Sequence, residues 1–512
     1  MALTKANNRM IDGATVNVLD FGATGDGSTD DTAAIQAAIN YAATTNSGKV
    51  YFPAGHYIVT TLYDHYDAVN NPDFPNGSYL DGRITFQGEQ AVNRTNLLYA
   101  TGSYRGTLIE TTSATGPALL LGNGDGASAA TARRQTVRDM AFLGTCTGSV
   151  VELDAATEHT HLENLTIANK GGVGGKGLYI HTSFYQSIIR NVDIFSNGTN
   201  GNGLVCEAAS LVMFDTVNVT NCGGTAWVLG RASTGADDLG LGTGNSFLNC
   251  QGRNSSNGLE IKGGRGNLFS GWWLEKNDGD FDLKIHENAS TTTFQGMYLT
   301  STELSVASAV IGGNSGTSYN DACRGIKMAG VVFNFCGPTS SQAGIRKYAS
   351  CTDLTVERCS FKNNGGKGII VDTTDGVTPT VLVDCDWNPV GASSEIATGN
   401  RVVDQSGGSS PWLVRGLNST DFTGAITGDL DMSTWTHLPD TITCSTGADI
   451  NVTLPTDTAN FIGKTIALRK SLAGNTLTVT GNVNGAASVS ATADESVTTL
   501  IAMGGTLYGQ LS

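Results

Sequence analysis

One phrase returns along the middle of the chain and limits what it can fold into. It reads Glu-Asn-Leu-Thr-Ile-Ala-Asn from Glu163, Arg-Asn-Val-Asp-Ile-Phe-Ser from Arg190, Asp-Thr-Val-Asn-Val-Thr-Asn from Asp215, Gly-Trp-Trp-Leu-Glu-Lys-Asn from Gly271 and Arg-Cys-Ser-Phe-Lys-Asn-Asn from Arg358. Aligning the outward residue between two inward apolar ones gives Thr166, Asp193, Asn218, Gln251, Trp273, Tyr298, Val332, Ser360 and Asp386, which is 220 residues in eight steps, an average of 27.5. A fixed period of that size marks a solenoid. Within each unit, runs such as Gly-Leu-Tyr-Ile-His from Gly177 and Gly-Leu-Glu-Ile-Lys from Gly258 alternate apolar and polar residues, with Asn and Gly between them. The expected fold is all-β, a right-handed parallel β-helix with coils ~4.8 Å apart. Val, Ile, Leu, Phe and Cys would fill its core, and ladders of polar side chains would line its outside.

A solenoid adds coils without thickening its core, so 512 residues do not force many domains. Sixty-six glycines and only 15% charged residues suit a turn-rich β chain. No apolar run is long enough to span a membrane. The opening Met-Ala-Leu-Thr-Lys-Ala-Asn-Asn-Arg lacks the apolar core of a signal peptide, which leads us to expect folding in a cytoplasm. A net charge of −16 repels nucleic acid and anionic membrane surfaces, because binding either requires clustered Lys and Arg. Ten cysteines are present, but Cys206, Cys250, Cys359 and Cys385 fall on inward positions of the repeat. None forms a CxxC or a Cys/His metal spacing, so reduced, buried thiols are expected, with no metal and no cofactor.

Before the repeat, 16–57 reads as a short strand, a Gly-rich turn, a helix and a further strand. The helix is expected to begin near Ser28–Asp31, whose hydroxyls and carboxylates suit its free amides, and to carry Ile35, Ala38, Ile39 and Ala42 on one face. That face would plug the open end of the solenoid. This opening (Asn-Val-Leu-Asp-Phe-Gly-Ala-Thr-Gly-Asp-Gly-Ser-Thr-Asp-Asp, the helix, then Tyr-Phe-Pro-Ala-Gly) resembles that of the pectate-lyase-like β-helix proteins, in particular bacteriophage tailspikes and tail-borne polysaccharide depolymerases. The resemblance implies a virion-tail protein, assembled in the host cytoplasm and attached to a tail or baseplate. It would act as a homotrimer at the bacterial surface. The resemblance fixes no substrate, since such folds host hydrolases, lyases, esterases and inert rods.

The expected organisation is a cap over 1–60, the β-helix over 61–390, a Gly/Ser-rich linker or neck over 391–439 and a small β-sandwich over 440–512. Segments 57–96, 231–244 and 302–324 break the period and read as surface excursions.

Two sets of residues are candidates for chemistry. Aligning Gly-Leu-Glu-Ile-Lys with Asp-Phe-Asp-Leu-Lys places Glu260 and Asp282 in one outward column, with Lys262 and Lys284 two residues on. Carboxylates one rung apart suit a retaining glycosidase, and equally a solvated charge ladder. In the second set, Trp273 shares a column with Gln251 and Tyr298, while Glu275 and Arg253 end the same strands. An aromatic face stacks on a pyranose, Arg binds acidic groups bidentately, and a carboxylate among aromatics suits a general acid. Asp278 and Asp280 on the next turn would supply the second carboxylate. The alternative is that Trp273 rests against a loop or a neighbouring chain. His159, His161, Glu158 and Glu163 crowd one span, and His181 shares a column with Glu207, but zinc needs a third ligand at defined geometry.

The expected function is a tailspike that binds and depolymerises a bacterial surface polysaccharide by glycoside hydrolysis, with Glu275 as general acid. One alternative is a lyase on a uronic-acid polymer, for which Arg253, Lys262, Lys284, Tyr298 and His286 are available. The other is a non-catalytic fibre or adhesin. The terminal strands are too few to bury a large core alone, so three copies would cover them together. Deleting 440–512 is therefore expected to convert trimers to monomers or aggregates in light scattering, and a truncated chain that stays trimeric would place those contacts along the rod.

Overall fold

The computed structural model describes residues 14–371, apart from 46–47, 65–83, 94–96, 98–104, 123–133, 155–157, 182–183, 232–240, 287, 302–303, 313–322, 335–342, 349–350 and 363–366, and beyond 371 mainly short strands. The chain divides into two compact units, Met1–Gly279 and Asp280–Ser512. Among the described residues no helix is long and apolar enough to cross a membrane.

The first unit opens with strand Val16–Asn17, a 3-10 turn Val18–Phe21, strand Asp26–Asp30 and helix Thr32–Thr44. Ile35, Ala38, Ile39 and Ala42 are all buried, as the helical spacing requires. The carboxylates act differently from expectation. Asp31 stands at the N-cap without capping the helix. It instead accepts hydrogen bonds from Thr24 N at 2.7 Å and Gly25 N at 3.1 Å, pinning the Gly-rich turn. Asp30 takes the amide and hydroxyl of Thr32. Gly25 has φ +63°, and a Cβ there would come within 2.9 Å of the Tyr57 ring, so the turn requires glycine twice over.

Coils follow. One series of strands includes His161–Asn169, Ile188–Ser196, Met213–Thr220, Gln251–Arg253 and Trp273–Glu275, all parallel. The other runs Ser149–Asp154, Lys176–Ile180, Asn202–Cys206, Thr225–Leu229 and Asn257–Lys262. Thr166 pairs with Asp193, Asp193 with Asn218, Asn218 with Gln251 and Gln251 with Trp273, the register that the repeat predicts. Each long strand breaks at a left-handed residue (Asn164, Asn191 and Thr216, at φ 53–54°) that turns the chain through a corner. Asn tolerates that conformation, and Asn164 Nδ2 donates to Asp139 Oδ1 at 2.9 Å on the coil before. Inside, Phe214, Phe247 and Phe269 stack with ring centroids 4.6 and 4.4 Å apart. Trp272 is buried, and its indole N–H donates to Phe247 O at 3.1 Å.

Much of the excursion expected at 57–96 is described as coil, with strands Leu62–Tyr63 and Thr85–Gly88, while 65–83 lies outside the described residues. Val92 and Leu97 cover Ala141, Leu143, Ala168 and Phe195 in one buried cluster. They roof the outward columns on the lower coils. Most of 231–244 and 302–324 also lies outside the described residues, as does Asp386.

The second unit repeats the pattern. Phe281–His286, Ala307–Ile311, Ala343–Lys347, Lys367–Val371 and Val402–Asp404 pair in parallel. In its other series Tyr298 pairs with Val332 and Val332 with Ser360. Thr380–Val383 pairs with Trp412–Arg415. Coil pairing thus runs past 390 into the span read as a linker, where a Gly/Ser-rich composition hides the period. The segment 440–512, expected to be all strand and turn, holds Thr441–Cys444, Ile450–Thr453, Thr465–Lys470, Leu477–Val483 and Val497–Gly504. They join one hydrogen-bonded, mixed set of eight strands, in which Leu477–Val483 pairs in parallel with both Ile450–Thr453 and Leu507–Gln510.

Burial pushes the thiols of Cys250 and Cys359 up to about 12, and that of Cys206 up as well. A thiolate-selective reagent is expected to leave all three unlabelled in the native protein at neutral pH and to label them after unfolding. Rapid native labelling would contradict their inward register.

Candidate functional site

Above the roof formed by Val92 and Leu97, the outward columns of the first series turn polar. One column carries Asp193, Asn218, Gln251 and Trp273, and the next Thr220, Arg253 and Glu275. Parallel pairing stacks these side chains at ~4.8 Å intervals. Asn218 Nδ2 donates to Asp193 Oδ1 at 2.9 Å, so the amides are already oriented. Trp273 is 46% exposed, a large aromatic face turned toward solvent. Glu275 stands 3.9 Å from Arg253 Nη1 and 3.7 Å from Lys276 Nζ. It is part of an ion cluster, not the apolar pocket that a general acid requires. Asp278 is exposed on the following turn. In the second unit, Asp280 is exposed and accepts from Ser305 Oγ at 2.5 Å, and Tyr298 is half-buried, its hydroxyl accepting from Asn334 Nδ2 at 2.8 Å.

The Glu260/Asp282 pair needs correction. Glu260 is on an outward position 3.7 Å from Lys262. Asp282 is fully buried and accepts from Ser301 Oγ at 2.5 Å and Ser308 Oγ at 3.2 Å. Matching the acid-x-Lys of Glu260–Lys262 to that of Asp282–Lys284 aligned the two strands two residues out of step. By burial, Leu283 and Ile285 correspond to the inward Leu259 and Ile261, which gives Lys284 the outward place of Glu260. Asp282 then falls in a column of small residues with Ser308 and Gly344, where space is tight: a Cβ on Gly344 would meet Phe361 at 2.9 Å. His286, named for a lyase, is buried as well. Lys284 lies over the Phe281 ring at 5.9 Å.

The second strand series of the first unit adds Glu152, Asp154 and Tyr179 to the His181 and Glu207 that the sequence places in one column. Glu152 pairs with Tyr179, and the ladder continues through Asp154, His181 and Glu207. His181 Nε2 lies 3.0 Å from Glu152 Oε1, and Ser149 Oγ donates to the other carboxylate oxygen. Tyr179 donates its hydroxyl proton to Glu207 Oε1 at 2.5 Å. The rings of Tyr179 and His181 are 3.9 Å apart, and Lys176 Nζ sits 4.4 Å from the Tyr179 ring. Burial acts to raise the Glu152 pKa, but the bonds from His181 and Ser149 outweigh it and hold the carboxyl below the usual range. Burial acts to lower that of His181, yet Glu152, Asp154 and Glu207 together raise it. Burial and the Glu207 bond raise that of Tyr179. The signal was present in the sequence: Asp154, His181 and Glu207 stand 27 and 26 residues apart, one coil period.

His159 and His161 are exposed and Glu163 binds Arg190 at 2.5 Å. Among the described residues no group of three or more His, Cys, Asp and Glu is placed to hold a metal ion.

Residues 15–227 match the family model described as rhamnogalacturonase A/epimerase, pectate lyase-like, a span that includes Glu152, Tyr179, His181 and Glu207 but not Trp273. The chain has the pectate-lyase-like β-helix fold. The catalytic domain of a GH87 alpha-1,3-glucanase, solved with tetrasaccharides, is similar with a TM-score of 0.50 at 13% identity, over 82% of this chain and 70% of that one. Tailspike protein 2 of the Escherichia coli O157:H7 bacteriophage CAB120 gives a TM-score of 0.44 at 14% identity, over 79% of this chain and 46% of that one. Mannuronan C5-epimerase AlgE3 of Azotobacter vinelandii is 64% identical over 44 residues, which are 9% of this chain and 2% of that protein.

The Glu152–His181 pair fixes a stability window. A histidine raised above 6.5 contributes stability that is complete below 6.5 and lost as pH rises through the folded value; a carboxyl lowered below 4.5 contributes stability present above 4.5 and lost as pH falls through the folded value. Both contributions are complete between pH 4.5 and 6.5. The melting-temperature gap between wild type and Glu152→Gln is expected to be widest there and to narrow toward pH 9. A gap independent of pH would show that the pair does not form.

Proposed function

We propose that the chain is a tail-borne depolymerase that binds a bacterial surface polysaccharide and cleaves it by glycoside hydrolysis. The observation that carries the reading is the in-register strip Asn218, Gln251 and Trp273 beside Thr220, Arg253 and Glu275. It offers an aromatic platform and a run of amide and ionic groups at one rung per step, the chemistry that a chain of sugar rings requires. The fold supports the reading, as do the polysaccharide-active names that it shares with the glucanase and the family model. The tail-borne part rests on the resemblance of the opening segment, and the homotrimer belongs to the same proposal. Glu275 is assigned here to binding, through its contact with Arg253.

A second reading is elimination on a uronic-acid polymer, which a match of 61% identity over 44 residues to alginate lyase 7 of Azotobacter vinelandii supports. A product absorbing in the ultraviolet would decide for it. Binding with no new reducing ends would decide for an adhesin.

Purified full-length chain is to be incubated with poly-mannuronate, rhamnogalacturonan, α-1,3-glucan and a panel of purified capsules. Trp273→Ala is expected to weaken retention on the bound polymer about tenfold, with kcat within about threefold of wild type, since one aromatic contact is worth of order 1 kcal/mol. Glu275→Gln is expected to weaken binding and keep cleavage. Its complete loss of cleavage with intact binding would return Glu275 to the chemistry.

A further inference from the structure

Three neighbouring rungs of the second strand series bring Glu152 and Asp154, then Tyr179 and His181, then Glu207 onto one outer surface. Rung spacing places the first and third of these ~10 Å apart, with His181 and Tyr179 between them. Resting on the depolymerase reading, we propose that this surface is the hydrolytic centre, with His181 as proton donor to the glycosidic oxygen and Glu207 as the base that activates water. Glu152 and Tyr179 are positioning residues.

The assignment follows from where the protons are. Glu152 accepts from both His181 and Ser149, so it is not a proton donor; it holds the imidazole charged and fixes its orientation. With Nε2 turned to Glu152, Nδ1–H is the imidazole proton left for a substrate. Glu207 uses Oε1 to accept from Tyr179, which leaves Oε2 for a water. Burial and the neighbouring carboxylates both keep the Tyr179 hydroxyl protonated. In the step, water oxygen attacks the anomeric carbon while its proton passes to Glu207. The bond from that carbon to the glycosidic oxygen breaks, and the oxygen takes the Nδ1 proton. The products are a reducing end and an alcohol, with Glu207 protonated and His181 neutral, and exchange with solvent restores both. No oxidant, metal or second substrate is consumed.

The charged and titratable groups that face His181 are Glu152 and Asp154 from the preceding rung, Lys176 and Tyr179 from its own, and Glu207 from the next. The kcat/KM profile should therefore be bell-shaped, falling on the alkaline side as His181 loses its proton, at a pH above the 6.5 of an ordinary histidine. Glu152→Gln should move that limb to lower pH. A merely structural role would not do so.

The test uses the full chain and whichever polymer of the panel above it cleaves, with reducing ends counted. His181→Asn and Glu207→Gln are expected to lower kcat by ~10²-fold or more, with KM within about threefold and polymer retention unchanged, both proteins remaining folded although His181→Asn also gives up the stability of its pair with Glu152. Tyr179→Phe is expected to cost about tenfold. Folded His181→Asn or Glu207→Gln protein within about threefold of wild-type kcat would overturn the assignment and leave the depolymerase reading standing. So would an alkaline limb that Glu152→Gln does not move. A wild type that binds the polymer but releases no reducing ends would overturn the cleavage reading, and this centre with it.

Discussion

Hydrogen bonds between one coil and the next govern this chain. Because the neighbours are parallel and in register, every residue stands over its counterpart one turn away at ~4.8 Å. That distance is close to the stacking distance of aromatic rings, which is why Phe214, Phe247 and Phe269 form a continuous file. The same spacing brings like charges into conflict, and the outward column on the lower coils responds by alternating sign: Arg138, Glu163, Arg190 and Asp215 follow one another. A ladder of this kind contributes little stability at a surface. Its value is that it avoids repulsion.

Stacking also dictates how the coil turns its corners. A corner removes backbone groups from the ladder, and those that are buried must find other partners. Side-chain amides supply the partners. Asn169 accepts from Cys146 N at 3.2 Å and donates to Cys146 O at 3.0 Å, and Asn245 accepts from Val212 N at 3.1 Å while donating to Ala209 O at 2.8 Å. Close approach of the walls imposes a second demand: a Cβ on Gly177 or Gly203 would lie 2.4 Å from Ile194 or 2.0 Å from Val219. The Asn and Gly content of the sequence is therefore a packing requirement and not merely a turn signal.

The sequence was legible where its period is strict. The column from Thr166 to Trp273, the buried face of the capping helix and the inward cysteines all follow from alternation. It misled where two strands were matched by their charges instead of their apolar residues. Lys284 was set beside Lys262 because both follow an acid by two positions, and Asp282 was thereby read as outward. The small residues just before the apolar pair, Gly177 and Gly203 in the first unit and Ser308 and Gly344 in the second, were the better guide, since a residue at that position faces the interior whatever its polarity. The group around His181 was read only in part. His181 and Glu207 were placed in one column and weighed as metal ligands, but Glu152, Asp154 and Tyr179 were not joined to them, because they belong to the strand series that the repeat phrase does not contain.

The field at that group bears on which bond chemistry it suits. Glu152, Asp154 and Glu207 supply three carboxylates against the cations of His181 and Lys176, on a chain whose net charge is already −16. Hydrolysis of a glycoside passes through an oxocarbenium-like state in which positive charge develops on the sugar ring, and a surplus of carboxylates stabilises it. Elimination from a uronic acid develops negative charge beside the ring carboxylate, and the same surplus opposes it. Lys176 does not redress the balance, because its ammonium lies against the face of the Tyr179 ring. Glu152, Asp154 and Tyr179 stand on strands, and His181 and Glu207 directly follow Lys176–Ile180 and Asn202–Cys206 with their amides bonded to Leu153 O and Ile180 O, so these groups are aligned before a substrate arrives and need not be reordered as charge develops. Stacked, in-register strands thus give a fixed, electronegative surface with His181 at its centre, the arrangement on which the proposed acid–base cleavage of a sugar chain rests.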